Sequence, residues 1–420
     1  MQPDVEIAAS SSVPGWPVIK PLMRGVLCAT AHPDGCRRAL IDQIERVERA
    51  PKFAGPQTAL IIGSSMGLGL SGRLALMFGG GSKTFGVCSE RPGAASRTAS
   101  PGWYNAAALE REARARGRLA PTLVGDAFAA ETKRRTVAWL QQNFGGVDLV
   151  LYSVASRQRR HPETGQLHLS SLKAVGQACS DKALNPASSE VFQSTMPVAD
   201  ERELADTVAV MGGDDFGLWL EALEQAGLIR SGFRALAFSY VGPERFWPMY
   251  RRATIGFAKE HLETTARSWS ERLARRGGAT SVAVMKALVT QSSLALPMGV
   301  LYGVLLTRLL GERGLDEGTL EQCQRLFGER LYGSQAPATD AEQRLRMDDR
   351  ELDPGLQHEL LARWQRVTTG DVQVLGDLAT FASQLRQLYG FGVPGVDYER
   401  PVATMPDWAA RVGVEQEREL

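Results

Sequence analysis

The chain has 420 residues, 44% of them hydrophobic and 23% charged, with 48 Lys and Arg against 47 Asp and Glu. That balance fits a globular protein of one large domain or two intimately packed ones, and a net charge of +1 gives no global field to gather nucleic acid. Five scattered cysteines, with no C-x-x-C or H-E-x-x-H, argue for a reducing, cytoplasmic compartment and against a disulfide framework or a metal centre.

The opening MQPDVEIAASSSVPGWP is acidic and polar where a signal peptide needs a basic start and an apolar centre, so residues 1–20 are expected as a loose tail. Arg24 to Thr30 reads as a strand able to join a sheet edge, and His32 to Arg46, with its early proline, as an amphipathic helix. His32 itself suits a turn or helix cap better than a catalyst. Thr58 to Ile62 is an apolar run without alternation, suited to a strand buried on both faces of a parallel sheet. Gly63, Gly67 and Gly69 follow at once and lead into SGRLALMFGG, whose apolar residues recur at helical intervals. A strand, a glycine turn and a helix in that order leave unpartnered N–H groups facing an anion. Three readings stand: a cradle for a dinucleotide pyrophosphate, a hydrolase elbow with Ser65 as nucleophile in G-x-S-x-G, or a tight turn with no ligand.

Lys83 to Glu90 reads as a second strand ending in an acid, and Glu90 lies 21 positions beyond Gly69. A Rossmann-like fold places a carboxylate there to accept from the adenosine ribose, and its charge repels a 2′-phosphate, which favours NADH over NADPH. The plain alternative is a solvated loop acid beside Arg91. A hydrolase needs several strands before its elbow, and only one βα unit precedes Ser65. Ala106 to Arg118 reads as a charged helix and Thr122 to Val124 as a short strand, after which Asp126 either accepts from an adenine amino group or caps the helix starting near Glu131. Val147 to Val154 is the next buried strand, and Ala155 and Ser156 leave room for a cofactor close to the backbone.

Residues 157–230 break this rhythm, and an insertion at the carboxyl end of a central strand is where a substrate cover belongs. Arg234 to Val241 and Thr280 to Val289 read as further strands, with Thr254 to Arg275 as the helix between them. The alternation says α/β, a Rossmann-like doubly wound and mostly parallel sheet, with 21–420 as one elaborated domain and 291–420 mainly helical. The uncharged stretch Ala287 to Thr307 is interrupted by Pro297, Gly299, Gly303 and polar residues, so it suits a buried or ligand-covering helix better than a membrane span.

Tyr240, Tyr250 and Lys259 fall on or after the strand RALAFSYV. A phenol with a lysine a helix turn or two away suits a reductase, where the ammonium lowers the phenol pKa and binds the nicotinamide ribose. The spacing is Tyr-x8-Lys, longer than is usual in short-chain reductases. Trp103, Phe216 and Trp247 either line an acyl pocket or pack in a core.

Several rare motifs occur in order: TAHPDGC from Thr30, GSSMGLG from Gly63, GWYN from Gly102, GDAF from Gly125, YSVAS from Tyr152, SYVGPERFWPMY from Ser239, KALVTQSS from Lys286 and RLFGERLY from Arg325. On these the chain resembles the trans-2-enoyl-CoA reductase family, whose bacterial members include single-chain enoyl-ACP reductases. The resemblance implies a monomer that adds a hydride from NADH to an enoyl-CoA or enoyl-acyl carrier protein. It implies that Gly63, Ser64, Ser65, Met66, Gly67 and Leu68 cradle the pyrophosphate, Ser89 and Glu90 meet the adenosine ribose, and Asp126 and Ala127 the adenine. Val154 and Ala155 would border the second ribose, with Leu288, Val289 and Thr290 across from them. Tyr250 would be the acid, Lys259 its ribose-binding partner and Tyr240 a contact to the substrate carbonyl. Departures cluster beside the acid: Phe238 replaces the first tyrosine of YSY, and Arg251, Arg252 and Ala253 replace W-[HD]-G. The two arginines are either solvated or ready for an acidic group such as a pantetheine phosphate. These departures also leave open a non-catalytic relative that keeps the fold as a nucleotide-binding module.

Overall fold

A computed structural model describes residues 16–24, 27–293 and 296–413. The chain enters through a short hairpin, β1 (Met23–Arg24) with β2 (Leu27–Cys28), and helix α1 (Pro33–Arg49). Strands and helices then alternate: β3 (Thr58–Ile62), α2 (Gly67–Leu74), β4 (Lys83–Cys88), α3 (Pro101–Ala115), β5 (Thr122–Val124), α4 (Ala130–Asn143) and β6 (Val147–Tyr152). Two antiparallel hairpins follow, β7 (Gln158–Arg160) with β8 (Leu167–Leu169) and β9 (Cys179–Asn185) with β10 (Glu190–Met196), then α5 (Glu201–Met211) and α6 (Asp214–Gln225). The alternation resumes with β11 (Ile229–Ser239), α7 (Thr254–Ala274) and β12 (Ala279–Val284). Last come α8 (Pro297–Glu312), α9 (Thr319–Arg325), β13 (Arg344–Arg346), α10 (Pro354–Arg366), α11 (Val372–Leu375) and α12 (Leu378–Gln387).

Seven strands pair in the order β13-β12-β11-β6-β3-β4-β5, every pair parallel. Because side chains alternate across a strand, even the wholly apolar β3 serves two cores. Ala59 and Ile61 face Cys323, Leu326 and Phe327, whereas Leu60 and Ile62 face Leu140, Trp219 and Leu262 from α4, α6 and α7. The chain moves outward from β3 to β4 and returns to β6 on its other side. That reversal opens a crevice at the carboxyl ends of β3 and β6, the usual ligand position in a doubly wound sheet. A third core joins α8, α10 and α12 to the β9–β10 hairpin through Leu184, Met196, Leu305, Leu360 and Phe381. Lys182 on that hairpin donates to the carbonyls of Trp364, Gln365 and Val367 at 3.0, 2.7 and 3.0 Å, fastening it to the end of α10.

Several expectations are corrected. The strand expected over 24–30 is not in the seven-stranded sheet: its described residues belong to the β1–β2 pair, where Ala29 N donates to Leu22 O and Thr30 Oγ1 bridges Lys20 and Leu22. Residues 16–20 are no loose tail: Ile19 is fully buried and Val402 N donates to Pro17 O, while 1–15 lie outside the described residues. Helix α3 begins at Pro101, where proline suits the first turn, five residues before the expected Ala106. The strand expected over 280–289 ends at Val284 because side chains take over the next amides: Lys286 N donates to Gln322 and Ala287 N to Glu351. Within the uncharged stretch helix α8 begins at Pro297, and among the described residues no helix is long and apolar enough to cross a membrane.

Candidate active site

All the anticipated site residues except Lys259 and Tyr250 sit just past the carboxyl end of a sheet strand: Gly63 after β3, Glu90 after β4, Asp126 after β5, Val154 after β6, Tyr240 after β11 and Leu288 after β12. At Gly63, φ is +84° and a Cβ would stand 2.2 Å from Ser153 O, so only glycine lets β3 and β6 approach this closely here. Helix α2 opens at Met66 with no side-chain cap, which leaves first-turn amides without an intrahelical acceptor. Two members of the expected cradle have other duties, because Gly63 N and Ser64 N both donate to Val87 O. Ser64 is buried, with its hydroxyl turned toward the β4 side at Gly86. Ser65, Met66, Gly67 and Leu68 remain to meet an anion, and Asn105 braces them by donating to Ser65 O at 3.0 Å.

Glu90 is not a solvated loop acid. Its Oε1 accepts from Ser65 Oγ at 2.5 Å and its Oε2 from Ser100 Oγ, and burial raises its pKa against the pull of both hydroxyls. Gly102 lies so near that a Cβ there would be 2.0 Å from Oε1. Asp126 does not cap α4, whose N-cap is Ala129; it is exposed and accepts from Phe128 N at 3.0 Å, shaping the turn. Beneath that turn Lys133 donates to Ala127 O and to Asp215 Oδ1 at 2.8 and 2.6 Å, and Tyr152 donates to Asp215 Oδ2 at 3.0 Å. This buried network supports the turn after β5.

Across the glycine turn the chain closes back on itself, since a Cβ at Gly67 would lie 3.7 Å from Thr290 Cγ2. Ala155 is exposed and Val154, Leu288 and Val289 half-buried, as walls of a groove should be. Tyr250 follows a 3-10 helix over Glu244–Met249, and its ring meets that of Tyr240 edge-on, centroids 4.9 Å apart. No hydrogen bond joins the Tyr250 hydroxyl or the Lys259 ammonium to any of the described residues. Lys259 is on the buried face of α7, where burial lowers its pKa to about 8 despite Glu263 nearby. The phenol goes the other way: burial pushes Tyr250 up and Arg251 only partly opposes it, so the expected lowering by the ammonium is not what its surroundings produce. A phenol held protonated is a hydrogen-bond donor.

Arg251 is neither solvated nor free for an acidic ligand, because it grips Glu263 through two 3.0 Å bonds and reaches Glu260 at 3.3 Å. Arg252 lies over the Trp247 ring at 5.9 Å. Trp247 lines a cleft of about 500 Å³ with Val241, Arg251, Arg344 and Arg346. Trp103 and Phe216 are core residues. The hydrolase reading fails at Ser65, whose hydroxyl is given to Glu90 with no histidine among its partners. Sequence reasoning passed over Ser100, Asn105, Asp215 and Glu351. Asn105, inside GWYN, and Asp215, inside MGGDDFG, lay in motifs; Ser100 and Glu351 are ordinary polar residues with no local signal.

Uncapped amides beside a carboxylate at the end of the next strand, with a donor phenol further along the same sheet edge, mark the class as nicotinamide-dependent reductases. Comparison with known proteins narrows it. Residues 97–332 match the family model described as the trans-2-enoyl-CoA reductase catalytic region, 18–95 that of its NAD(P)H binding domain, and 339–402 an enoyl reductase FAD binding domain. An enoyl-acyl-carrier-protein reductase (NADH) of Coxiella burnetii is 45% identical over 388 residues, 92% of this chain and 96% of that protein. The solved trans-2-enoyl-CoA reductase of Clostridium acetobutulicum, in complex with NADH, is 33% identical with a TM-score of 0.90, covering 92% of this chain and 98% of that one. Its counterpart from Treponema denticola, with NAD, is 37% identical with a TM-score of 0.87, covering 92% and 98%. The chain belongs to the trans-2-enoyl-CoA reductase family, and it is an NADH-dependent reductase of enoyl thioesters.

A flavin nucleotide does not fit residues 339–402. Helices α10 and α12 are capped by Asp353, on Leu356 N, and Asp377, on Thr380 N, so anions already hold the places a pyrophosphate would need. Leu356, Leu360, Trp364, Phe381 and Leu385 are spent in the core against α8.

Proposed function

We propose that Tyr250 is the acid of this reductase and Lys259 its electrostatic and ribose-binding partner. The observation that carries the reading is a half-buried phenol and a buried ammonium near the sheet edge, neither hydrogen-bonded to any of the described residues: a phenol that burial keeps protonated and an ammonium held at the margin of its charge. When bound, NADH supplies the hydride that adds to the β-carbon of the enoyl thioester. Charge then builds on the thioester oxygen, where the Tyr250 hydroxyl donates, and a proton returns to the α-carbon. Lys259, charged below about pH 8, adds a positive field and donors for a ribose. Ser65 to Leu68 would hold the pyrophosphate, Ser89 and Glu90 the adenosine ribose, Asp126 and Ala127 the adenine, and Val154, Ala155 and Leu288 to Thr290 the nicotinamide end.

We take residues 21–420, with 16–20 packed onto them, as one domain, a view supported by β13, which joins the sheet from the segment beyond 339, and by the burial of Ile19. Five free thiols, three of them buried, support a reducing cytoplasm. A monomer accepting either CoA or carrier-protein thioesters goes with the same reading. The test follows NADH oxidation with crotonyl-CoA, dodecenoyl-CoA and a carrier-bound enoyl thioester, in wild type and Tyr250→Phe. Loss of turnover on all three with NADH affinity intact supports the acid; undiminished reduction by the variant refutes it.

A further inference from the structure

Behind the phenol pair lies a carboxylate with no cation. Glu351 is fully buried, and none of the described lysines, arginines or histidines forms a salt bridge with it. Its Oε1 accepts from the hydroxyls of Tyr240 and Tyr302 at 2.8 and 2.6 Å, and its Oε2 from Ala287 N at 2.7 Å. Taking a carboxylate out of water against neutral donors alone is costly, and an apolar side chain would fill the same space at less cost. Packing of the helical layer therefore gives no reason for an acid here. The position of its donors does. Tyr240 stands edge-on to Tyr250, and Ala287 opens the segment that runs through Leu288 to Thr290.

We propose that Glu351 is a positioning residue of the reductase site, acting through Tyr240 on the Tyr250 ring and through the Ala287 amide on the segment that closes toward the glycine turn. The proposal rests on the assignment of Tyr250 as the acid. It changes the part given to Tyr240: with its one proton committed to Glu351, that phenol turns only lone pairs and ring toward a substrate. Tyr240 then holds Tyr250 in place and leaves the donation to it. The inference also gives the segment 339–402 a function in this chain, since Glu351 is its contribution to the site.

Glu351→Gln tests this with little change of volume. An amide cannot accept at both ends, so the Ala287 N–H or the two hydroxyls must lose their acceptor. In the wild-type background, kcat should fall about tenfold to a hundredfold while NADH affinity by fluorescence stays within about twofold. In a Tyr240→Phe background the same substitution should cost clearly less kcat than in wild type, because only the route through the Ala287 amide is left. Glu351→Asp, which keeps the charge but draws it back by one methylene, should show the same pattern and stands in if the Gln protein does not fold. Undiminished kcat in a folded Glu351 variant, or an equal loss in both backgrounds, overturns the proposal. Tyr250→Phe run alongside keeps the two claims apart: its full activity removes the acid assignment, whereas the coupling between Glu351 and Tyr240 is read from the double variants.

Discussion

Replacing Lys259 with methionine should strengthen the folded protein while silencing it. Burial holds the ammonium at about 8 instead of its ordinary 10.5, with Glu263 opposing the fall. At about 1.4 kcal/mol for each tenfold change in proton affinity, this amounts to about 3 kcal/mol lost to stability wherever the lysine is charged in both folded and unfolded chains. The folded protein releases this proton near pH 8 and the unfolded chain near 10.5, so between those values the unfolded state binds more protons and stability rises with pH. The Lys259→Met protein has no such group. It should exceed wild type by about 2–3 kcal/mol at neutral pH, and the gap should close as pH climbs through that window. Urea unfolding followed by tryptophan fluorescence across a pH series measures the difference; parallel pH profiles for the two proteins would refute the reasoning, whatever their offset. In the same samples NADH oxidation should drop about a hundredfold or more, and wild-type kcat/KM should decline above about pH 8.

Tyr250→Phe should lower kcat by about two to three orders of magnitude with little change in NADH affinity, read by steady-state kinetics and fluorescence titration. Glu90→Ala should move the NADH-to-NADPH ratio of kcat/KM about tenfold or more toward NADPH, and an unchanged ratio would deny the acid its ribose role. Gly102→Ala should give a weaker form of the same change, because a Cβ 2.0 Å from Oε1 forces the carboxylate aside. Asp215→Ala leaves Lys133 buried without its carboxylate beneath the turn after β5, and should cost about 3–5 kcal/mol in urea unfolding.

The glycine turn was legible because its cause is local: β3 is apolar throughout, and the glycines sit where the backbone must turn under another strand. The place of Glu90 just past β4 was legible from the strand ending in an acid, and the parallel sheet from the alternation of strand and helix. The hairpins β7 to β10 were not, since residues such as Gln158, Arg160, Leu167 and Leu169 are exposed and leave no buried alternation to detect. Nor was β13, a three-residue edge strand that reads as charged loop. The direction of the Tyr250 shift was misjudged because proximity to a lysine is visible in sequence and burial is not. Arg251 looked like a spare cation until α7 brought Glu263 to it. Glu351 stands in MDDRELDPG among acids and arginines, and nothing local sets it apart.

The bond between Tyr240 and Glu351 spans 111 residues of chain. Those between Trp103 and Ala409 O, and Tyr104 and Thr404 O, span about three hundred. During synthesis the glycine turn and both phenols therefore leave the ribosome well before the groups that hold them, and contacts this distant form slowly. A nascent chain could own every residue of the reaction and still lack their arrangement, so competence should arrive late and abruptly, with the docking of the last-made quarter.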